Sequence, residues 1–391
     1  MRLLHTSDWH LGRTLHGADL LDHQATVLDL LVDTVVRESV DVVLVAGDIY
    51  DRSVPPTAAV ALLDQALGRL ADHAAVVLTS GNHDSATRLG FGAALFGRGV
   101  HVRTSADMAG VPVEFEDEHG LVAIYPLPFL NPDIARYRLA GAEGEPLARS
   151  HQACLVEAMR RIDIDRLRLP QGTRRVVMAH AFVVGGSRPA ASDSERDISV
   201  GGVDAVSDSV FDGIDYVALG HLHGAQEPKT DGSHTLRYSG SPLRFSFSEA
   251  AQDKSFTLVD LGAGGVAQIT TIPVPQPREM AILQGSIDDL LDPTGYQEHV
   301  DSWVQVTVTD ESRPSAMYER LRERFPHALV VRHQPAGGPL VVGGVAPRNP
   351  ADAVSVTRQF VEYVTGAPAS TAEVDAFRSA YEVVRDAMGD R

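Results

Sequence analysis

Val42-Val43-Leu44-Val45-Ala46-Gly47-Asp48 is an apolar run that stops at a glycine and delivers an aspartate. The construction returns at residues 76–82, VVLTSGN, and at residues 216–221, YVALGH. A fourth version, RVVMAH at residues 175–180, has alanine before its histidine. Short β-rich apolar runs ending at Gly read as buried strands that close in tight turns. Open α/β sheets bind ligands just outside the carboxyl ends of such strands. Asp48, Asn82, His180 and His221 therefore stand where such a fold keeps its chemistry. Asp8-x-His10 follows the strand-like Arg2–Thr6, and His223 lies two residues beyond His221. Residues two apart in an extended segment point the same way, so Asp8 with His10, and His221 with His223, can each address one centre. All are hard or borderline oxygen and nitrogen donors, enough for two divalent cations.

Working outward, residues 1 to about 273 alternate strand-like and helix-like patterns. Residues 19–38 read as a helix with Leu20, Leu21, Leu28, Leu31, Val32 and Val35 on one stripe. Residues 57–72 and 151–162 read as further helices, and Ala75–Thr79 as a strand. Residues 111–115, 121–126, 235–238, 254–260 and 266–272 are β-rich, the last three without intervening helices. The fold class expected is α/β: two facing sheets flanked by helices, not one purely parallel sheet. Pro273, Pro275 and Pro277 mark a break, after which residues 278–334 carry a small α+β capping pattern. Residues 335–348 form a Pro/Gly-rich linker, and 349–391 two closing helices. The first opens at Asn349-Pro350, and the second at Ser370 with Glu373 completing a capping box.

Composition bounds the function. No stretch of the 391 residues approaches a membrane span, and the N-terminus lacks the apolar core of a signal peptide. The single cysteine, Cys154, has no partner for an internal disulfide, which points to a reducing cytoplasm. A net charge of −18 argues against a broad basic nucleic-acid face, though two bound dications would cancel about four charges.

In order, Asp8-x-His10, Gly47-Asp48, Gly81-Asn82-His83-Asp84, His180 and Gly220-His221-x-His223 resemble the pattern of the calcineurin-like metallophosphoesterase superfamily, with no element substituted. The resemblance implies that Asp48 bridges two metals. Asp8, His10 and His223 would complete one, and Asn82, His180 and His221 the other. Mixed Asp/His/Asn ligation suits Mn²⁺, with Mg²⁺ or Fe²⁺ as alternatives. The resemblance makes His83 a catalytic residue facing the phosphate, where it stabilises the transition state or protonates the leaving oxygen. Asp84 either orients His83 or caps a helix.

The stretches MRLLHTSDWHLGRTLHG, AGDIYDRSVPP, MAHAFVVGG and YSGSPLRFSFSEA are similar to the SbcD family, nuclease subunits of bacterial SbcCD complexes. That similarity spans the whole chain and implies substrate contacts at Trp9, His16, Asp51, Arg52, Arg244 and Phe245. Archaeal and eukaryotic relatives tend to carry His at the position of Asp51, which leaves Asp51 either phosphate-facing or a loop hydrogen-bonder. The implied function is a metal-dependent DNA nuclease, a 3′→5′ exonuclease on duplex ends and an endonuclease on single strands and hairpins. It would act with the SbcC ATPase in DNA repair and recombination, as a homodimer within a heterotetramer, with the helical regions expected at residues 57–72 and 85–96 forming the dimer. The tail is either a helical hairpin on the capping domain or an SbcC-docking element. A small-molecule or cyclic-nucleotide phosphodiesterase would share every ligand but lack the last ~115 residues. An inactive scaffold of the same fold is the third reading.

Overall fold

Val42–Ala46 is buried on both faces, and its alternation decides what each face meets. In this computed structural model Val42, Leu44 and Ala46 point into a core shared with a second sheet. Val43 and Val45 point the other way, into a core shared with the helices Leu21–Glu38 and Thr57–Ala71. The period of two along a strand produces this division, and burial of both faces explains why the run is continuously apolar. The structure describes residues 1–97, 99–140, 144–185, 189–198, 205–230, 235–335, 357–358, 361 and 369–379.

The first sheet has six strands, in the order Gly265–Pro273, Ser255–Gly262, Arg2–Thr6, Val42–Ala46, Ala75–Thr79 and Val100–Arg103. The last four run parallel, and the first two close the sheet antiparallel. The second sheet has five, in the order Thr235–Tyr238, Tyr216–Gly220, Arg174–His180, Gly120–Pro126 and Val113–Asp117, all parallel but the last. Val176 and Met178 face the first sheet, while Val177 and Ala179 face the helices Pro132–Leu139 and His151–Arg166. Two facing sheets with helices outside are the architecture expected. Within each sheet the ligand-bearing strands run parallel, so their carboxyl ends share one edge: Ala46 pairs with Thr79, and Gly220 with His180.

Three strands, Met280–Gly285, Trp303–Val308 and Ala328–His333, form a separate parallel sheet with the helices Ile287–Leu291 and Met317–Arg324. It has its own core around Leu290, Val306 and Phe325. Met280 and Trp303 join the core of the larger body, and His23 packs against the Trp303 ring at 4.8 Å.

Several expected boundaries move. The first long helix starts at Leu21 because Asp19 lies in a small ribbon, Thr14–Leu15 with Ala18–Asp19, and its carboxylate accepts the Leu21 amide at 2.9 Å. The helical region expected at residues 85–96 is only Ala86–Leu89 followed by a single 3-10 turn, because Gly90 and Gly92 (φ +75°) interrupt it. The helix Pro132–Leu139 was not anticipated, although Asn131 as N-cap and Pro132 at its start are helix signals. Chain contacts divide the molecule into Met1–Pro335 and Ala336–Arg391. Most of the second unit, including the linker and the helix expected from Asn349, lies outside the described residues. Within it, Ser370 and Glu373 form the expected reciprocal cap: the Ser370 amide reaches Glu373 Oε2 at 2.8 Å and the Glu373 amide Ser370 Oγ at 3.4 Å.

Met178 is fully buried between the two sheets. Met178→Ala is expected to lower unfolding free energy by about 2–5 kcal/mol, read as a lower urea midpoint at unchanged slope. An unchanged midpoint would mean that the inter-sheet core does not depend on this side chain.

Candidate metal centre

The loops that follow the first two parallel strands are laced together by their backbones. The Asp8 amide donates to the Gly47 carbonyl at 3.1 Å, His10 to Asp48 at 3.0 Å and Leu11 to Ile49 at 2.9 Å. To turn this tightly, Asp8 (φ +53°), His10 (+44°), Asp48 (+50°) and His221 (+106°) all take left-handed backbone conformations. Non-glycine residues there cost of order 1–3 kcal/mol each and persist only where surroundings over-determine them. The glycines before the ligands have a second reason. A side chain at Gly81 would run into the carboxylate and amide of Asp48, and one at Gly220 into the carbonyl of Ala46.

The seven expected ligands converge. His10 Nε2 lies 3.1 Å from His223 Nε2, and both stand with Asp8 in one group whose ligand atoms lie within 4.8 Å of one another. Asn82 Oδ1 lies 2.9 Å from His180 Nε2 and 3.3 Å from His221 Nδ1. Asp48 Oδ2 sits between the two sets, 3.6 Å from His10 Nε2 and 3.5 Å from His180 Nε2. Its other oxygen accepts the His83 amide at 2.8 Å. Asp8 accepts the His221 amide at 3.1 Å and the Ser7 hydroxyl at 2.5 Å.

The donor set of this cluster fits a cation. His180 Nδ1 donates to the Ala46 carbonyl at 2.9 Å, so Nε2 faces two oxygen acceptors with either an added proton or a lone pair. Lone pair against lone pair is repulsive without positive charge between them. His10 Nε2 and His223 Nε2 face each other at 3.1 Å, where either one of them carries a hydrogen or a cation lies between them. Burial opposes a charged His180, yet Asp48 and Asp8 push its pKa up to about 9. Burial also works to raise Asp48, but His180, His10 and His83 outweigh it and hold the carboxyl well below its usual range. Burial lifts Asp8 to about 6 against the pull of His180 and His223, and burial with the His180 charge lowers His221 to about 3. An all-nitrogen-and-oxygen donor set with no thiolate fits a hard or borderline divalent ion.

His83 stands beside this cluster. Its Nδ1 donates to the Asp51 carbonyl at 2.7 Å, which turns Nε2 inward, 4.0 Å from Asp48 Oδ2. The pairing of Asp84 with His83 is not what the structure shows. The Asp84 carboxylate accepts the amides of Ile49 (3.1 Å), Tyr50 (2.9 Å) and Gly81 (2.9 Å), so it clamps two ligand loops together. The cap of the following short helix is Ser85. Burial and the neighbouring Asp48 raise Asp84 to about 7.

The expected substrate contacts divide. Asp51 is at the site, 3.4 Å from Arg13 Nη1 and 3.7 Å from His10 Nδ1. Trp9 is not a surface contact: it is 2% exposed, and its indole donates to Thr6 Oγ1 within the core. Phe245 is also buried, its ring packed edge-on against His10 and His223. Arg244 is committed elsewhere, to the Gln252 carbonyl at 3.1 Å and Glu279 at 2.7 Å. Arg52 is exposed on the loop after Asp51, and His16 is exposed and stacked on Phe247. Two arginines that sequence reasoning missed also border the cluster. Arg13 lies over the Phe245 ring and donates to the Ser194 carbonyl at 3.1 Å, while Arg196 reaches the Asn82 carbonyl at 3.4 Å. Ser194, Glu195, Glu249 and Lys254 were missed too. Glu249 ends a 3-10 turn, Lys254 precedes the strand Ser255–Gly262, and only the fold brings these residues to His223. A cleft of about 530 Å³ opens beside the cluster, between Arg13, Ser194 and Phe245 on one side and Ile282, Gln305 and Arg332 of the small sheet on the other.

Residues 1–225 match the family profile of the calcineurin-like phosphoesterases, which is more than half of the chain. The chain belongs to the calcineurin-like phosphoesterase family. It is accordingly a metal-dependent phosphoesterase whose cofactors are divalent cations. Residues 276–345 match a second profile, SbcD_C, described as the type 5 capsule protein repressor C-terminal domain. Among solved structures, the chain is similar to the protein TT1561 of Thermus thermophilus at 12% identity, covering 70% of this chain and 99% of that one, with a TM-score of 0.40. It is similar to a dimetal phosphatase from Danio rerio at 15% identity, covering 70% and 99%, with a TM-score of 0.42. An archaeal phosphodiesterase shares 12% identity over 70% of this chain and 100% of that one, with a TM-score of 0.33. Among the described residues no helix is long and apolar enough to cross a membrane.

Gly81→Ala is expected to fold, because Gly81 is outside the hydrophobic core, yet to displace Asp48. Metal-dependent hydrolysis of bis-p-nitrophenyl phosphate should fall by about a hundredfold. Near-normal turnover would show that Asp48 tolerates the shift and that its position is not what the glycine protects.

Proposed function

We propose that this protein is the nuclease subunit of an SbcCD-type complex, a Mn²⁺-dependent DNA phosphodiesterase. The observation that carries the reading is the joining, in one chain, of a phosphoesterase domain with seven converging N/O donors to a C-terminal segment matching the SbcD_C profile. A small-molecule phosphodiesterase would need no such segment. In this reading Asp8, His10 and His223 hold one cation, Asn82, His180 and His221 the other, and Asp48 both. Bound divalent cations supply Lewis acidity toward a phosphodiester and its attacking water. His83, with Nδ1 committed to the Asp51 carbonyl, offers Nε2 as the atom that would carry a proton taken from solvent and give it to the leaving oxygen. Arg13 and Arg196 supply positive charge at the rim for the flanking phosphates.

The rest of the proposal is the partnership. The protein would cut duplex ends 3′→5′ and single strands and hairpins endonucleolytically, with an SbcC ATPase, in the cytoplasm during repair and recombination. Affinity for DNA shared with that subunit accords with the net charge of −18. Phe91 (86% exposed), Leu95 (88%) and the half-exposed Phe96 support a homodimer formed through this region. The test is cleavage of a labelled hairpin oligonucleotide with Mn²⁺, with and without SbcC. Hydrolysis of bis-p-nitrophenyl phosphate without hairpin cleavage would favour the small-molecule reading.

His83→Ala should keep both cations and lose about 10²–10⁴-fold in turnover, which anomalous scattering from Mn²⁺-soaked crystals beside the nuclease assay would check. Loss of a metal peak would make His83 a ligand. Asp48→Asn should reduce two-metal occupancy more than any other single ligand change, because one carboxylate serves both sites. A larger loss in Asp8→Ala or His223→Ala would refute the bridging assignment.

A further inference from the structure

His223 has the most completely arranged surroundings of any residue in the cluster. On one side its Nε2 faces His10 Nε2 at 3.1 Å. On the other, Nδ1 lies 2.6 Å from Ser194 Oγ and 3.3 Å from Glu249 Oε1. Ser194 Oγ is hydrogen-bonded to the same Glu249 oxygen, and Ser192 Oγ joins it from 3.2 Å. The second Glu249 oxygen accepts from Lys254 Nζ at 2.6 Å. Lys254 also donates to the His223 carbonyl at 2.9 Å, Ser241 Oγ at 3.0 Å and Gln252 Oε1 at 2.9 Å. Ser194, His223, Glu249 and Lys254 are all buried.

The direction of each bond follows from what each group can do. A lysine ammonium only donates, and a carboxylate only accepts. Ser194 must therefore give its hydroxyl hydrogen to Glu249, which leaves its oxygen to accept from His223. That places the imidazole hydrogen on Nδ1 and a lone pair on Nε2. The position of Ser194 is itself held from three sides. Its carbonyl accepts from Arg13 at 3.1 Å, the Asp193 amide donates to Ser248 Oγ at 3.1 Å, and Glu195 Oε1 accepts the His223 amide at 2.8 Å.

We propose that Ser194 and Glu249 are positioning residues that set the tautomer of His223, so that Nε2 is presented to a divalent cation. Lys254 holds Glu249 in place, and the serine hydroxyl carries the orientation across the gap between carboxylate and ring. This rests on the reading of His223 as a metal ligand. Outer partners of ligating histidines commonly change metal affinity by roughly 10–100-fold when removed.

The experiment uses the full chain, MnCl₂ as the probe and calorimetric titration as the readout. His223→Ala should lose one of two Mn²⁺ equivalents; retention of both would overturn the ligand reading itself. Ser194→Ala should keep the stoichiometry but weaken one equivalent by roughly 10–100-fold, and Ser194→Thr, which keeps a hydroxyl, should restore it. Nitrogen NMR of the metal-free protein should show the His223 hydrogen on Nδ1 in the parent and a mixture of tautomers in Ser194→Ala. Glu249→Gln should repeat the affinity loss, and if that variant does not fold, Ser194→Ala carries the test alone. Should His223→Ala lose an equivalent while Ser194→Ala binds both with parental affinity, the positioning role is wrong and the ligand reading stands. A lowered thermal midpoint with unchanged Mn²⁺ affinity would likewise reduce the pair to a structural contact.

Discussion

Asp48 is a carboxylate with 2% exposure set among three imidazoles. A lone buried charge is costly to remove from water unless it is paired. Here the compensation comes from His10, His83 and His180, each delivered by a different loop, and from the His83 amide. The strand ends, the left-handed turns and the interlaced backbone bonds of residues 8–11 and 47–49 all serve to bring those groups to one carboxylate. The donors are tightly gathered: His10 Nε2 and His223 Nε2, and His180 Nε2 and Asn82 Oδ1, stand about 3 Å apart, close enough to share one cation.

The strain this imposes is borne by the sheets. Four cluster residues with positive φ would each prefer another conformation. What holds them is a scaffold in which both faces of Val42–Ala46 and Arg174–His180 are buried, so a slipped strand would have to repack two cores at once. Asp84 adds a local clamp, one side chain across two loops. Pre-organisation of this kind holds the seven candidate ligands together.

The strands and the seven converging donors were legible in the sequence because each is a local signal: an apolar run, a glycine, a polar residue. The capping box at Ser370 was legible for the same reason. What failed to show depends on where loops travel. Trp9 and Phe245 read as surface aromatics beside a site, but their rings are needed in the core. Arg244 read as a substrate contact but is spent on Gln252 and Glu279, while Arg13 and Arg196, separated by 183 positions in the chain, went unread. No spacing rule connects Ser194 to Glu249 and Lys254, and their partnership with His223 exists only after folding. The region of residues 85–96 misled in the opposite sense, since two glycines outweigh its helix-forming neighbours.

The first strand of the chain lies in the interior of its sheet, and its antiparallel neighbour is Ser255–Gly262. Asp8 and His10 emerge from that first strand, yet their companion His223 is more than two hundred residues away. The candidate donors span residues 8 to 223, so the cluster has all its members only after residue 223 has been made. Long-range pairing of this sort makes folding slow. Through most of synthesis the nascent chain carries some of these aspartate and histidine side chains but no phosphoesterase site. A hydrolytic centre appears only once the chain has been made well past its midpoint, so the topology acts as a timer on the activity.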